Sequence, residues 1–287
     1  MEIKLGEMNH LRVVKTVDFG VYLDGGVEAG EILLPSRYVP QGCKPEDEVD
    51  VFLYLDQDER LIATTLVPKA QVGDFAYLRV AWVNKYGAFL DWGLMKDLFV
   101  PFREQKMRME QDKSYIVYVH IDEESYRIMG TAKIERYLQQ PEVDTYAPGQ
   151  EVDLLIVQKT DLGFKAIVDN RYMGLLYDSE VFQPLHAGNR VKGYIKQVRP
   201  DGKIDLVLQT GKTQDRVEDF SERLLLYLQG HEGHTELNDK SDSQVIYDTF
   251  GVSKKVFKRA VGDLYKRHLI TLESGLTLTD AGREIED

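Results

Sequence analysis

The sequence predicts a mainly β protein in which three similar five-stranded barrels are followed by an α+β domain. One observation is a pattern of strands that occurs three times along most of the chain. The other is a change from β-type to helical spacing of apolar residues after about residue 215. The predicted domains cover residues 1–66, 72–134, 148–210 and 214–287.

The repeated pattern is clearest in the second strand of each unit. It reads DFGVYLD at 18–24, KYGAFLD at 85–91 and, more loosely, LGFKAIVD at 162–169. A β-rich run precedes each copy, a short apolar run follows it, and two further runs surround a tight turn. Alternating β-branched and aromatic residues between turn residues indicate hairpins. Each unit is therefore predicted to contain five strands.

Side chains alternate between the two faces of a strand, which divides this motif into inner and outer residues. Val21 and Leu23 are expected inside the first barrel, as are their equivalents Ala88 and Leu90 inside the second. The rings expected to point outward are Tyr22 and Phe89. An outward ring can stack on a base or pack against a neighbouring domain, and both remain open. Phe19 and Tyr86 lie at the turn before the strand, where packing and binding are again both open.

The third copy departs from this pattern. The same alternation places Phe164, Ala166 and Val168 inward. It places Lys165, Ile167 and Asp169 outward. The outward ring is thus replaced by a lysine, which favours a phosphate contact, although a solvated surface charge explains a single lysine equally well.

The last part of the chain has helical spacing. DRVEDFSERLLLYLQG ends at Gly230, SDSQVIYDTFG has Ser241 as candidate N-cap, and SKKVFKRAVGDLYKRHL has Ser253. LITLESGLTLTDAGREI then indicates a two-stranded wing that turns at residues 274–275. A helix, a helix-turn-helix and a hairpin in this order are typical of a winged-helix domain.

The candidate recognition helix carries the strongest local charge in the chain. Its basic candidate contacts are Lys254, Lys255, Lys258, Arg259 and Lys266. Such a helix can lie along a phosphate backbone, whereas a winged helix that docks on another protein is the alternative.

A resemblance follows from the strand motifs and their order. With GLLYDS at 174–179 as its third strand, the unit resembles the S1 RNA-binding domain, an OB-fold barrel. Three S1-like OB-fold barrels followed by a winged helix resemble the bacterial conserved virulence factor B-like family. That resemblance implies RNA binding linked to the regulation of gene expression.

The resemblance also implies one contact in the third unit. Tyr177 takes the place where S1 domains often carry a base-contacting histidine, and Leu34 and Val100 are the expected equivalents in the first two units. Independently of the resemblance, Arg171 and Lys203 are basic candidate contacts of the same unit, and a solvated surface charge is the alternative for each.

Composition excludes several classes of protein. The net charge of −12 disfavours a protein that coats DNA without specificity. No apolar stretch is long enough for a membrane helix, and the segment MEIKLGEMNH lacks the apolar region of a secretory signal. Cys43 is the only cysteine, so no disulfide framework is expected. A cytoplasmic protein fits these features.

Enzyme motifs do not emerge from the sequence. No G-x-S-x-G elbow is present, and His231 and His234 have no further His or Cys nearby, so they are expected in a flexible connector. We therefore expect no catalytic residues, metal, cofactor or small-molecule substrate.

The leading hypothesis is a non-catalytic protein that binds single-stranded RNA by base stacking and phosphate contacts. One alternative is a transcription regulator whose winged helix binds duplex DNA. Another is a protein-interaction adaptor at the ribosome or RNA polymerase. None of the three requires a membrane.

Overall fold

The computed structural model describes residues 3–178, 181, 185–208, 213–273 and 275–283. The chain divides into two compact units, Met1–Gln139 and Gln140–Asp287. Residue 1, the predicted domain ends at 210 and 287, and residue 274 of the predicted wing turn lie outside the described residues.

Three closed barrels of five strands each account for most of the described chain. Barrel 1 consists of β1 (Met8–Val17), β2 (Gly20–Asp24), β3 (Glu31–Pro35), β4 (Glu48–Leu55) and β5 (Leu61–Thr64). Barrel 2 consists of β6 (Phe75–Val83), β7 (Gly87–Asp91), β8 (Leu98–Pro101), β9 (Ser114–Ile121) and β10 (Ile128–Thr131). Barrel 3 consists of β11 (Glu151–Thr160), β12 (Gly163–Val168), β13 (Tyr172–Tyr177), β14 (Arg190–Val198) and β15 (Ile204–Val207).

The strand order is the same in all three barrels. The first strand pairs with the second and the fourth, the second pairs with the third, and the fifth lies between the third and the fourth. All pairs are antiparallel except that of the third and fifth strands, which is parallel. This closed five-stranded order is that of the OB fold, so the predicted mainly β fold with three tandem barrels is confirmed.

The glycine that opens each second strand has a steric cause. A Cβ atom on Gly20 would lie 2.1 Å from the carbonyl oxygen of Leu34, and one on Gly163 would lie 2.0 Å from that of Leu176. Gly20 also has a φ of +154°, which side-chain-bearing residues rarely adopt. The third strand therefore passes too close for any side chain, and this constraint explains why the motif repeats its glycine.

The first strand of each barrel contains a bulge at the equivalent position. The register shifts between Val13 and Lys15, between Val80 and Trp82, and between Ile156 and Gln158. A bulge adds one residue to a strand and bends it, which helps a small barrel to close. After the bulge, each side chain of the first strand therefore points to the face opposite to the one that simple alternation predicts.

The expected inner and outer faces of the second strands are confirmed in the first two barrels. Val21, Leu23, Ala88 and Leu90 are fully buried, whereas Tyr22 and Phe89 lie on the outer face and are half-buried. In barrel 3, the inward residues are confirmed and Lys165 is exposed. Ile167 alternates with the inward residues as expected, but its side chain is buried rather than exposed.

Barrels 1 and 2 pack together within the first unit. The ring of Phe52 in β4 meets that of Trp92, just after β7, edge to face at 5.6 Å between centroids. The backbone NH of Met8 donates to the side-chain oxygen of Gln71 in the connector, at 2.7 Å. Phe52 belongs to the same buried cluster as the core of barrel 2, so the apolar core is continuous across the two barrels.

A winged-helix domain ends the described chain. Among the described residues, the α-helices are α1 (Gly26–Ala29, in barrel 1), α2 (Thr213–Gly230), α3 (Ser243–Phe250), α4 (Lys254–Lys266) and α5 (Asp280–Arg283). The wing strands are β16 (His234–Thr235), β17 (Ile270–Thr271) and β18 (Leu276–Leu278), in the order β16-β18-β17. The predicted α+β winged helix is thus confirmed, with one more wing strand than expected.

Two local predictions for this domain differ from the structure and one is confirmed. Ser253 caps α4 by accepting from the NH of Val256, as expected. The cap of α3 is Asp242 rather than Ser241, because the Asp242 carboxylate accepts from the NH of Gln244 at 2.7 Å. His234 is part of β16 rather than of a flexible connector.

We expect Gly20→Ala to lower the free energy of unfolding by about 2–5 kcal/mol, because it combines backbone strain with a clash against the third strand. Gly42→Ala is the matched control in the same barrel, since Gly42 also has a positive φ but faces open space. Its cost is expected to be about 1–2 kcal/mol. Thermal unfolding followed by circular dichroism would measure both, and equal losses would contradict the steric explanation.

Candidate nucleic-acid interface

The outer face of barrel 2 carries a cluster of three aromatic rings. Trp82 of β6 and Phe89 of β7 stack in parallel, with centroids 3.6 Å apart and planes 4° apart. Phe89 is also 4.9 Å from Phe99 of β8. The indole NH of Trp82 donates to Asp97 at 2.8 Å, which fixes the orientation of the ring.

Trp82 is the exposed member of this cluster, with 42 % of its surface open to solvent. Phe89 points outward as predicted, but its ring is half-buried between the other two and supports Trp82. Sequence reasoning missed Trp82, since simple alternation from Leu78 and Val80 would direct it inward. The bulge after Val80 reverses that direction.

A cleft of about 1030 Å³ lies beside these rings, within the first unit. Its floor includes the three rings, and Tyr86, which is 61 % exposed, lies at its edge. Its walls come from the β9–β10 turn of barrel 2 and from the β4–β5 hairpin of barrel 1, whose Gln57 and Glu59 line it. The volume is at the upper end of that of small-molecule pockets, which leaves room for more than one nucleotide.

The cations at the cleft all have partners. Arg103 pairs with Asp122 at 3.1 Å. Arg127 pairs with Glu59. Lys96 donates to the carbonyl oxygens of residues 55 and 56, at 3.0 and 2.8 Å. A bound anion would therefore have to compete with groups of the protein for these cations.

The equivalent face of barrel 1 has one half-buried ring and one exposed ring. Lys15 Nζ lies 4.8 Å from the ring centre of Tyr22 and forms an ion pair with Glu31 at 2.5 Å. Phe19, which is 57 % exposed, meets Tyr22 edge to face at 6.3 Å. Lys15 occupies the position that Trp82 has in barrel 2, so the parallel stack is not repeated here.

In barrel 3, the predicted basic candidates are scattered over exposed positions. Lys165 and Arg171 are both exposed. Lys203 lies in the β14–β15 turn and pairs with Asp201 at 2.8 Å. The position equivalent to Trp82 is occupied by Gln158, so the described residues of this barrel form no aromatic stack on the face that carries one in barrel 2.

Tyr177 takes part in a hydrogen-bonded network rather than standing free. Its hydroxyl accepts from Arg199 at 2.5 Å, and the same guanidinium donates to Asp205 at 2.9 Å. Gln197 donates to Asp205 at 2.6 Å. Burial alone would raise the pKa of Asp205, but the hydrogen bonds from Arg199 and Gln197 outweigh it and hold that pKa below its usual value.

The prediction that Leu34 and Val100 are equivalent to Tyr177 is wrong by one residue. Tyr177 pairs with Gly163 across the sheet, just as Pro35 pairs with Gly20 and Pro101 with Gly87. Leu34 and Val100 are instead equivalent to Leu176, and all three are fully buried in their barrels. Sequence similarity between short strands does not fix a register, whereas the ladder of backbone hydrogen bonds does.

Helix α4 presents a basic outer face. Lys255, Lys258, Arg259 and Lys266 are exposed, and none of them forms an ion pair with the residues that the structure describes. Their spacing of three, four and seven places them on one side of the helix, opposite the buried stripe that includes Phe257 and Leu264. Lys254 is different, because its ammonium donates to the carbonyl oxygen of Ser241 at 2.7 Å and so holds the turn before the helix.

The described part of the chain contains no cluster of three or more His, Cys, Asp and Glu residues able to hold a metal ion. Among the same residues, no helix combines the length and apolar character needed to cross a bilayer. Nδ1 of His231 lies 2.7 Å from the carbonyl oxygen of Tyr227. Nδ1 of His234 lies 2.9 Å from the hydroxyl oxygen of Thr277.

Known proteins and domain families are similar to this chain. The chain is 29 % identical to the uncharacterized protein YitL of Bacillus subtilis (strain 168) over 280 residues, which span 95 % of this chain and 92 % of that protein. It is 24 % identical to conserved virulence factor B of Staphylococcus saprophyticus over 246 residues, 82 % of this chain and 81 % of that protein. Residues 5–66 match the S1 domain, and residues 222–278 match the CvfB-like winged helix domain.

The resemblance to the conserved virulence factor B-like family is confirmed.

A solved structure is also similar to this chain. It is a multidomain protein with nucleic acid binding domains from Streptococcus pneumoniae, and the match covers 96 % of this chain and 98 % of that one. The sequence identity is 22 % and the TM-score 0.43. The presence of an S1 domain together with a winged helix supports a role in nucleic-acid binding.

We expect Asp205→Asn to destabilise barrel 3 by about 1–3 kcal/mol at neutral pH, because it weakens the bonds to Arg199 and Gln197. A carboxyl whose pKa is depressed by folding stabilises the fold above its unfolded pKa of about 3.9, and this stabilisation is lost as pH falls through the folded pKa. The wild-type protein should therefore lose more stability than the variant on acidification.

Calorimetry at neutral pH and below about pH 3 would measure this difference. Asp201→Asn is the control, since Asp201 pairs with Lys203 at an exposed turn and should change stability much less than Asp205→Asn does. Equal effects of the two variants would contradict a structural role for the network.

Proposed function

We propose that this protein binds single-stranded RNA without catalysing a reaction, and that it regulates gene expression in the cytoplasm. The observation that carries the proposal is the exposed ring of Trp82, which lines the cleft of barrel 2. A rigid parallel stack offers a flat apolar surface at little entropic cost, and bases of any identity can stack on such a surface.

Two further features support the proposal. The S1 domain and the winged helix both support nucleic-acid binding, and RNA recognition commonly relies on unstacked bases that meet aromatic rings. The net charge of −12 argues against binding driven by charge over the whole surface. Affinity would then come from local sites, whose contributions multiply because the domains are linked in one chain.

A second function is favoured by the basic face of α4. Four exposed cations on one side of a winged-helix recognition helix suit the phosphate backbone of duplex DNA, with the helix in the major groove. The same face also suits the phosphates of folded RNA.

We expect Trp82→Ala to weaken the binding of a short single-stranded RNA by about 5- to 150-fold, the equivalent of 1–3 kcal/mol for one stacked base. Fluorescence anisotropy with a labelled oligonucleotide of about ten nucleotides would measure it. Tyr77→Ala is the control, because Tyr77 is an exposed ring of the same strand that does not line the cleft. An unchanged affinity in the Trp82 variant would exclude the cleft as the RNA site.

Charge reversal of α4 tests the second function. If α4 binds duplex DNA, the double variant Lys258→Glu/Arg259→Glu should weaken duplex binding at least about tenfold and reduce its dependence on salt. The double variant Lys4→Glu/Lys44→Glu changes the net charge equally on barrel 1 and is the control. Loss of duplex binding with unchanged single-stranded RNA binding would separate the two functions, whereas no loss of either would exclude α4.

A further inference from the structure

Part of the wall of the cleft belongs to another barrel. The β4–β5 hairpin of barrel 1 contributes Gln57 and Glu59, so the binding face of barrel 2 is complete only when barrel 1 lies beside it. Both barrels belong to one compact unit, Met1–Gln139.

The hairpin is fixed in this position by buried and polar contacts. Lys96, in the β7–β8 loop of barrel 2, donates to the carbonyl oxygens of Leu55 and Asp56 at the base of the hairpin. Trp92 donates from its indole nitrogen to the carbonyl oxygen of Lys96 at 2.6 Å, and its ring meets Phe52. The contact between barrels 1 and 2 thus extends from their shared core to the edge of the cleft.

The hairpin is acidic where it meets the cleft. Its turn reads DQDE at 56–59, and Glu59 forms an ion pair with Arg127 of barrel 2. The neighbouring Asp58 pairs with Arg60 of its own hairpin at 2.9 Å and does not line the cleft. Glu59 is therefore the hairpin carboxylate that holds a cation of barrel 2.

A carboxylate on an arginine occupies the same donors as a phosphate would. Guanidinium groups bind carboxylates and phosphates through the same N–H groups. Both Arg127 and Glu59 are more than half exposed, so their pairing is weak enough to be exchanged without unfolding either barrel.

We propose that barrels 1 and 2 form one composite cleft for a single-stranded polynucleotide. In the free protein Glu59 pairs with Arg127, and a backbone phosphate replaces Glu59 when the polynucleotide binds. A base stacks on Trp82, and the adjoining phosphate takes the guanidinium that Glu59 releases. Glu59 thereby discriminates against other anions, because an anion without a base to stack on Trp82 gains too little binding free energy to displace Glu59.

This inference rests on the proposed function, and it predicts that removal of a carboxylate charge tightens RNA binding. Glu59→Gln frees Arg127 and should tighten the binding of single-stranded RNA about two- to fivefold, the value of one exposed ion pair. Arg127→Gln should weaken binding. In the Arg127→Gln background, Glu59→Gln should bring no gain, because the two residues act on the same phosphate.

The experiment uses the full chain and labelled single strands of about ten nucleotides, one of RNA and one of DNA with the same sequence. Asp58→Asn is the matched control, since it removes the same charge from the same hairpin without touching Arg127. A gain with Glu59→Gln that exceeds the gain with Asp58→Asn supports the exchange. An equal gain in affinity for RNA and DNA shows that Arg127 contacts the phosphate backbone that both strands share. A gain for RNA alone shows that the cleft is specific for RNA.

Two outcomes would overturn the inference. Equal gains from Glu59→Gln and Asp58→Asn would reduce it to a general effect of charge. No gain from Glu59→Gln, while Trp82→Ala still weakens binding, would remove the exchange and leave the proposed function intact. Absence of any single-strand binding by the wild-type chain would overturn the proposed function itself.

Discussion

Closure of a five-stranded barrel requires its first strand to bend, and the residue added at that bend decides which side chains reach the outer face. All three barrels have this bulge at the same place. The residue after it pairs with the outward residue of the second strand, which in turn pairs with an outward residue of the third. One backbone constraint therefore builds a row of three side chains on the outside of every barrel.

The rows differ in chemistry although the backbone is shared. The row is Lys15, Tyr22 and Leu33 in barrel 1. It is Trp82, Phe89 and Phe99 in barrel 2. It is Gln158, Lys165 and Leu175 in barrel 3. Only barrel 2 has a ring at all three positions, and this concentration of π surface, together with the hairpin of barrel 1, makes its face suited to bases.

Much of the fold could be predicted from local pattern, because its causes are local. Alternation placed Val21 and Leu23 inside and Phe89 outside, and a close backbone approach underlies the repeated glycine that revealed the three units. Trp82 was not predicted, since a bulge is a property of strand pairing and leaves little trace in a single strand. Tyr177 was assigned to the wrong equivalents for a related reason, because register depends on the partner strand. The Glu59–Arg127 pair joins residues far apart in sequence, and no pattern within either hairpin indicates it.

Cations and rings are arranged differently in the two units of the chain. In the first unit the rings are clustered and the cations of the cleft are paired, whereas α4 in the second unit presents unpaired cations without an exposed ring stack among the described residues. In the proposed function, base stacking therefore belongs to barrel 2, whereas α4 adds phosphate contacts to the one proposed for Arg127. Linking them in one chain lets weak contacts of each kind add to a useful affinity.

The central claim is that a base stacks on Trp82, and tryptophan emission tests it most directly. The chain has two tryptophans, and Trp92 lines the cleft but is buried, so the quenching that Trp82→Phe removes is the part that arises from a base stacked on Trp82. We predict that single-stranded RNA quenches the emission over the same concentration range in which anisotropy reports binding, and that Trp82→Phe binds RNA without this quenching. Binding by anisotropy with unchanged emission of the wild-type protein would contradict the account.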